Sequence, residues 1–209
     1  CLKINIQENI IQQNIITYWM EEINVKRAFD LFCSIYGLIV AGPFLLIIAL
    51  LIKLESPGPA IFKQKRPTLN NELFNIYKFR SMKMDTPNVA TDLMDPADFI
   101  TKTGKFIRKT SIDELPQLLN VLKGDMSIVG PRPALYNQYE LIEKRTKVNV
   151  HTIRPGVTGL AQVMGRDNNT DDQKVMFDKY YLENQSFLLD MYIIYKTVIN
   201  TISSEGVSH

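Results

Sequence analysis

The feature that most constrains the fold of this chain is an uncharged apolar run over residues 31–52. A helix needs about 20 apolar residues to cross the hydrocarbon core of a bilayer, and this run has that length. The run starts too far into the chain, and is too long, for a secretory signal peptide. The alternative is a buried core helix of a soluble protein, which rarely contains so long an uncharged stretch. The run therefore predicts contact with a membrane.

A Gly42-Pro43 pair lies in the middle of this run. Proline removes a backbone donor and clashes with the preceding helical turn, so the pair predicts a break in the helix. Positive residues flank both ends, with Lys26 before the run and Lys53 after it, whereas a spanning helix usually has its positive charge on one side. We therefore predict a re-entrant helix-break-helix over residues 26–54, with both ends at the cytoplasmic face. A single membrane span that anchors a soluble domain is the competing interpretation.

The overall composition narrows the chemistry that the chain can perform. Its 209 residues include 24 basic and 22 acidic side chains, for a net charge of +2, so it lacks the strong basic field of a nucleic-acid-binding protein. Two cysteines and two histidines cannot build a disulfide framework, a thiolate zinc site or a multi-histidine metal site. Carboxylates and arginines are the groups left to carry chemistry.

The remaining pattern predicts a mainly α protein with one small β-hairpin, an α+β fold. Residues 1–25 form an accessory interfacial helix, and residues 55–209 form one cytoplasmic domain. Two short segments rich in Phe, Ile and Tyr, 60–66 and 73–82, surround a turn at 68–71 and read as the hairpin. A polar stretch with two prolines, 86–98, predicts a loop. Helical patterns cover residues 99–108, 113–123, 135–148, 171–184 and 187–202.

Two adjacent carboxylates, Asp113 and Glu114, stand where a helix is predicted to begin. Ser111 and Glu114 have the spacing of a capping box, and Pro116 is tolerated only in a first turn. The plain interpretation is that the carboxylates cap this helix. The functional interpretation is that they converge on one substrate at the helix threshold, where free backbone amides also favour phosphate. Position alone leaves both interpretations open.

Several arginines near these carboxylates lie in stiff Gly- and Pro-rich surroundings. Arg108 comes shortly before the pair, Arg132 lies between two prolines, and Arg154 opens a third such segment that ends at Arg166. The planar fork of arginine matches phosphate oxygens with paired hydrogen bonds. Fixed arginines beside a carboxylate pair therefore suit a substrate that carries a diphosphate.

Taken together, these motifs resemble the bacterial sugar transferase family, the monotopic phosphoglycosyl transferases that start glycoconjugate assembly. Within the family, the chain closely resembles the campylobacter-type enzyme of N-linked glycosylation. The resemblance runs from about Lys26 onward, through Ser56-Pro57-Gly58-Pro59, residues 76–82, Asp113-Glu114-Leu115-Pro116-Gln117, residues 124–127 and Arg154-Pro155-Gly156. The chain departs from the family pattern at Gly42, Thr68, Asn71 and Met164.

The resemblance implies a reaction and a location. A phosphosugar would pass from a UDP-sugar, with an N-acetylated amino sugar expected, to undecaprenyl phosphate, releasing UMP, at the cytoplasmic face of a bacterial inner membrane. Mg²⁺ is the implied cofactor and Glu114 its implied ligand. Asp113 would be the catalytic nucleophile that forms a covalent phosphosugar intermediate, with Glu114 as the second catalytic residue. The implied substrate contacts are Lys78, Arg80, Arg108, Arg132, Arg154, Gln162, Arg166 and Asp178.

Two further expectations complete the sequence-based reading. The N-terminal helix could pair with a second copy, which would give a homo-oligomer. A different class of function also fits the residues, namely a non-catalytic membrane scaffold in which Asp113 and Glu114 only cap a helix and the basic patches bind anionic lipid.

Overall fold

The computed structural model describes residues 2–84, 86, 99–165 and 168–203, with side chains described from Val25 onward. Within these residues, the helices are α1 (Leu2–Glu55), α2 (Lys102–Lys109), α3 (Leu118–Lys123), α4 (Tyr139–Lys147), α5 (Leu160–Met164), α6 (Asp171–Glu183) and α7 (Phe187–Ser203). The strands are β1 (Ile61–Pro67), β2 (Leu73–Phe79), β3 (Ser127–Val129) and β4 (Gly156–Thr158). Three short 3₁₀ segments lie at Leu69–Asn71, Ile112–Gln117 and Val150–Thr152.

The apolar run lies within α1, which is helical without interruption from Leu2 to Glu55 and contains Pro43. Residues 1–25 and 26–54, predicted as two units, thus belong to one helix, and the re-entrant course of the second remains a prediction. In apolar surroundings each lost backbone hydrogen bond costs several kcal/mol, which favours keeping the helix intact on both sides of the proline. By length and composition, Val25–Glu55 could cross a membrane, and only 11% of its most apolar window is buried.

One face of α1 packs against the rest of the protein. Its buried residues are Asp30, Ser34, Ile48 and Ile52. Near its start, Arg27 donates to two carbonyl oxygens in the last turns of α3, at 2.7 and 3.1 Å. The opposite face is apolar and between 67 and 75% exposed at Phe32, Ile39, Leu46 and Leu54. The helix therefore has a protein-facing stripe along its length and an apolar surface that water does not solvate well.

The end of α1 belongs to a hydrophobic core that it shares with the hairpin and α2. Ile48 and Ile52 form a buried cluster with Ala60, Phe79 and Ile107 from the hairpin and α2. A second cluster comprises Phe74, Ile76, Val121 and Met126. A third comprises Val129, Leu160, Tyr181 and Ile193. The hairpin is thus held between the membrane helix on one side and α3 on the other.

The predicted hairpin is confirmed. β1 pairs antiparallel with β2, with Ile61 opposite Phe79 at one end. The connecting turn places Asn70 and Asn71 at φ of 54° and 61°. Asparagine tolerates this left-handed region better than most residues, so the turn forms without the glycine that is usual in the family.

The other elements agree with the sequence in part. The helices predicted at 99–108, 135–148, 171–184 and 187–202 are present as α2, α4, α6 and α7. The parallel pair of β3 and β4 and the short α5 were not predicted, because segments of three to five residues show no period. The predicted loop at 86–98 lies, apart from Thr86, outside the described residues.

Candidate active site

The two carboxylates lie in the 3₁₀ segment that leads into α3, and Glu114 is clamped between two cations. Its Oε1 accepts from Lys78 Nζ at 2.7 Å and from Arg132 Nη2 at 2.8 Å. Its Oε2 accepts from Arg132 Nη1 at 3.3 Å. Burial raises the pKa of Glu114, but Arg132 and Lys78 outweigh that effect and hold it well below its usual range. Glu114 is therefore a fixed negative charge at any physiological pH.

The capping-box prediction for this segment is wrong. Ser111 has a φ of 56° and its side chain makes no capping hydrogen bond, whereas a capping residue normally has extended backbone angles. The Glu114 carboxylate is turned toward Lys78 and Arg132 instead. Ser111 and Glu114 therefore do not form the predicted capping box.

Asp113 has a different environment from its neighbour. It forms no ion pair within the described part of the chain. Burial and the charge of Glu114 raise the pKa of Asp113 to about 6, although Lys78, Arg108 and Arg132 act in the opposite direction. Near neutral pH this carboxylate is mostly ionised and not neutralised by a direct partner. Such a group is able to act as a nucleophile.

Lys78 reaches the site because α3 is tied to the edge of β2. Asn120, which is fully buried, accepts from Tyr77 N at 2.9 Å and donates to Asn75 O at 2.8 Å. These bonds lie on either side of Ile76 and hold the strand in place. Lys78, two residues further along, then reaches Glu114. Burial lowers the pKa of Lys78, and the charge of Glu114 partly offsets this. The only feature of the sequence that points to this role of Asn120 is its amide side chain among the apolar residues of a predicted helix.

The loop that carries Arg132 is held by close backbone contacts. Gly130 N donates to Thr158 O at 2.9 Å, and a Cβ on Gly130 would lie 2.5 Å from Arg154 O. Arg66 of β1 adds a further cation, since its Nη1 donates to Pro133 O at 2.9 Å. Burial and the charge of Arg132 lower the pKa of Arg66 to about 10. Arg66 was not predicted, because nothing in its own segment of sequence suggests a site.

Arg80 is not placed beside the carboxylates. It is buried, and it donates to Ser56 O at 2.7 Å and to Pro57 O at 2.8 Å. The carbonyl groups at the end of a helix lack intrahelical partners and attract a guanidinium. Arg80 thus holds the chain where it leaves α1, and its predicted substrate contact stays a prediction. Gly58 allows this contact, because a Cβ there would lie 2.3 Å from Arg80 Nη1.

Two more predicted substrate contacts have partners inside the protein. Arg154 Nε donates to Gly124 O at 2.8 Å, at the end of α3. Asp178 is only 1% exposed and accepts from Arg145 Nε and Nη2 at 2.9 and 2.6 Å. Asp178 is therefore paired within the protein, and its predicted substrate contact stays a prediction. The Gly- and Pro-rich surroundings of Arg154 reflect its role in closing a helix.

The last two predicted contacts remain predictions. Gln162 donates to Val157 O at 3.3 Å, and its buried Oε1 has no partner among the described residues. Arg166 lies outside the described residues. The structure therefore groups Lys78, Arg108 and Arg132 with the carboxylate pair. Arg80, Arg154 and Asp178 have hydrogen-bond partners elsewhere in the protein.

The implied Mg²⁺ fits Asp113 better than Glu114. No cluster of three or more metal-ligating side chains occurs in the described ranges. Both oxygens of Glu114 already accept hydrogen bonds from cations, which makes that carboxylate a poor ligand. Mg²⁺ usually takes one or two protein carboxylates and completes its shell with water and substrate phosphates. The donor set suits a metal held through Asp113 and a bound diphosphate.

Comparison with known proteins identifies relatives of this chain. The family described as "Bacterial sugar transferase" matches residues 21–204. The chain is 44% identical over 200 residues to the exopolysaccharide production protein PSS of Rhizobium leguminosarum bv. phaseoli. That alignment covers 87% of this chain and 97% of the relative.

Two other relatives have names that state a reaction. One is the UDP-N-acetylgalactosamine-undecaprenyl-phosphate N-acetylgalactosaminephosphotransferase of Aeromonas hydrophila, at 40% identity over 87% of this chain and 44% of that protein. The other is the UDP-glucose:undecaprenyl-phosphate glucose-1-phosphate transferase of Escherichia coli (strain K12), at 41% identity over 83% of this chain and 39% of that protein. This chain thus spans less than half of each. Because the family model matches most of the chain and the relatives are about 40% identical to it, the chain belongs to the bacterial sugar transferase family.

Proposed function

We propose that this protein transfers a sugar phosphate from a UDP-sugar to undecaprenyl phosphate and releases UMP. One observation carries the proposal: Asp113, without an ion-pair partner in the described structure, lies beside a Glu114 that Lys78 and Arg132 clamp. A nucleophile must be ionised and unpaired, as Asp113 is within the described residues. A polyphosphate substrate needs nearby positive charge, which Lys78 and Arg132 supply. The relatives from Aeromonas hydrophila and Escherichia coli both have undecaprenyl phosphate in their names.

The proposed reaction has two displacements at one phosphorus atom. An oxygen of Asp113 attacks the sugar-linked phosphorus of the UDP-sugar, and the bridging P–O bond breaks so that UMP leaves with the bridging oxygen. A phosphate oxygen of the lipid then attacks the same phosphorus and releases the Asp113 carboxylate. The product is a lipid diphosphate sugar. Splitting the transfer in this way replaces one difficult step with two easier ones.

The cations and the metal have separate tasks in this proposal. Lys78 and Arg132 keep Glu114 ionised and in place, and Arg108 adds positive field at Asp113. Mg²⁺, when bound through Asp113 and the diphosphate, would offset negative charge that builds up on the phosphates. We expect chelation with EDTA to abolish UMP release and excess Mg²⁺ to restore it.

The placement of α1 supports a protein that stays on one face of the membrane. Residues 25–55 form about 46 Å of helix at 1.5 Å per residue, which is long enough to cross a bilayer. Arg27 near the start of this segment bonds α3, and Ile52 near its end packs against Ile107 of α2. Both ends thus contact one folded unit. We infer that the apolar face of α1 lies in one leaflet and that the protein is monotopic, on the cytoplasmic face where UDP-sugars are made.

The test is UMP release in detergent with Mg²⁺ and undecaprenyl phosphate, over a panel that includes N-acetylated and plain UDP-hexoses. We expect lipid-dependent release, highest with an N-acetylated amino sugar, and at least a thousandfold loss in Asp113→Asn. Asp172→Asn is the matched control, because Asp172 is an exposed carboxylate on α6. Release that survives in Asp113→Asn would contradict the nucleophile, and release in no arm of a full panel would contradict the reaction.

A further inference from the structure

We propose that Arg145 and Asp178 are positioning residues for Arg132. In this view their buried ion pair holds the backbone turn from which the Arg132 side chain reaches Glu114. The test of this inference by enzyme activity rests on the proposed function, whereas its test by protein stability does not.

Three elements meet at the Arg145 guanidinium. Arg145 lies on α4 and is 8% exposed, and Asp178 lies on α6. Nε and Nη2 of Arg145 both donate to Asp178 Oδ2, at 2.9 and 2.6 Å. The third nitrogen, Nη1, donates to the carbonyl oxygen of Arg132 at 2.8 Å. A guanidinium is planar and rigid, so two bonds to one carboxylate fix the direction of the third.

The turn around Arg132 is held at three successive carbonyl groups. Pro131 O accepts from Gly156 N at 2.9 Å, Arg132 O accepts from Arg145, and Pro133 O accepts from Arg66 Nη1 at 2.9 Å. The two prolines have restricted φ angles. A shift of the central carbonyl group therefore turns the whole peptide unit and carries the Arg132 side chain with it. Its bonds to Glu114 depend on that orientation.

The Arg145–Asp178 ion pair does more than join α4 to α6. A second pair, between Lys144 and Asp172, joins α4 to α6 at the surface with a distance of 2.6 Å. Buried ion pairs are seldom more stabilising than apolar residues of the same size. What distinguishes the buried pair from the surface pair is its bond to the backbone of Arg132. This contact makes it a positioning device rather than a simple link.

The first experiment compares Arg145→Lys with the surface control Asp172→Asn. Lysine keeps a positive charge opposite Asp178 but cannot reproduce the three-way fork. We expect Arg145→Lys to lower kcat/KM for the UDP-sugar at least tenfold while its Tm stays within a few degrees of wild type, and Asp172→Asn to leave both unchanged. We further expect Arg132→Ala with Arg145→Lys to be no less active than Arg132→Ala alone. Full activity in Arg145→Lys, or losses that multiply in the double variant, would overturn the proposal.

The second experiment does not depend on catalysis. The coupling between Arg132 and Glu114 is measured by denaturation of Arg132→Ala, Glu114→Gln and the double variant, in the wild-type background and with Arg145→Lys. We expect Arg145→Lys to reduce this coupling by at least half, and an unchanged coupling contradicts the inference. Because this readout needs no substrate, a failure of the proposed reaction remains distinguishable from a failure of the positioning role.

Discussion

The negative charge of Asp113 lowers the stability of the folded protein. Burial and the neighbouring Glu114 raise its pKa from 3.8 to about 6. A carboxyl group with a raised pKa in the folded state stabilises the fold below its unfolded pKa, and that contribution is lost as the pH rises through 6. The site is therefore less stable when it is ready to react.

Replacing this carboxylate is expected to stabilise the protein while it removes activity. At pH 8, we expect Asp113→Asn to raise the free energy of unfolding by on the order of 1–3 kcal/mol, since the asparagine does not bury a charge. The gain should shrink between pH 6 and pH 4, where Asp113 itself becomes neutral. Denaturation in detergent at pH 8, 6 and 4 checks this trend, with Asp172→Asn as the control. A variant that is less stable than wild type at pH 8 would contradict it.

The same titration predicts the pH dependence of the first displacement. On the proposed function, the rate of UMP release in a single turnover, without lipid, should fall about tenfold per pH unit below the pKa of Asp113, because only ionised Asp113 attacks. That pKa is about 6 in the metal-free protein and falls when Mg²⁺ binds the carboxylate. The lipid is left out because a phosphate monoester also titrates near pH 6. A rate of UMP release that shows no acid limb would contradict the assignment of Asp113 as the nucleophile.

At the scale of elements, the exit of α1 depends on one glycine. Gly58 has a φ of +115°, and a Cβ there would lie 2.3 Å from Arg80 Nη1. Gly58→Ala should therefore lower the free energy of unfolding by about 1–3 kcal/mol, through backbone strain and displacement of Arg80.

The matched control for that change is Gly42→Ala. Gly42 lies inside α1, and a Cβ there would meet nothing within 4 Å. Alanine has the higher helix propensity, so we expect no loss of stability and up to about 1 kcal/mol of gain. Chemical denaturation of both variants in the same detergent makes the comparison. Equal effects of the two substitutions would show that Gly58 has no special role.

The elements that sequence predicts well are those with a long or clear period. The hairpin and α2, α4, α6 and α7 follow from alternation or helical spacing. The continuity of α1 through Pro43 could not be foreseen, because local propensity favours a break and only the apolar surroundings oppose it. The pairing of β3 with β4 joins segments that are distant in the chain and too short to show a pattern.

For the candidate site, the sequence predicts which residue types are present and which of them lie in stiff loops, but not where their side chains point. The position of Arg132 between prolines correctly indicates a fixed side chain near a carboxylate. Arg80 and Arg154 are also held in place, but by carbonyl groups at helix ends. A sequence shows that an arginine is held in place, but the direction of its side chain depends on which unpaired carbonyl groups tertiary packing brings near.

At the scale of the whole molecule, the protein should expose both ends of its apolar segment on one side. Ala28 and Lys53 are exposed positions near the two ends. In a background without Cys1 and Cys33, cysteines at 28 and 53 should react with a membrane-impermeant maleimide from the cytoplasmic side only. Mass-shift labelling in sealed vesicles of known orientation measures this. Labelling of the two positions from opposite sides would establish a single span and contradict the monotopic arrangement.

The end of α1 is attached to two parts of the site at once. Arg80 joins it to β2, which carries Lys78, and Glu55 accepts from Lys102 N and Thr103 N at the start of α2, which carries Arg108. If α1 lies in one leaflet as proposed, its depth sets the height of the carboxylates above the bilayer. On the proposed function, the enzyme would select its acceptor by where a phosphate sits along the membrane normal. Polyprenyl chains of different length would serve equally, whereas a spacer that lifts the phosphate away from the surface would end the reaction.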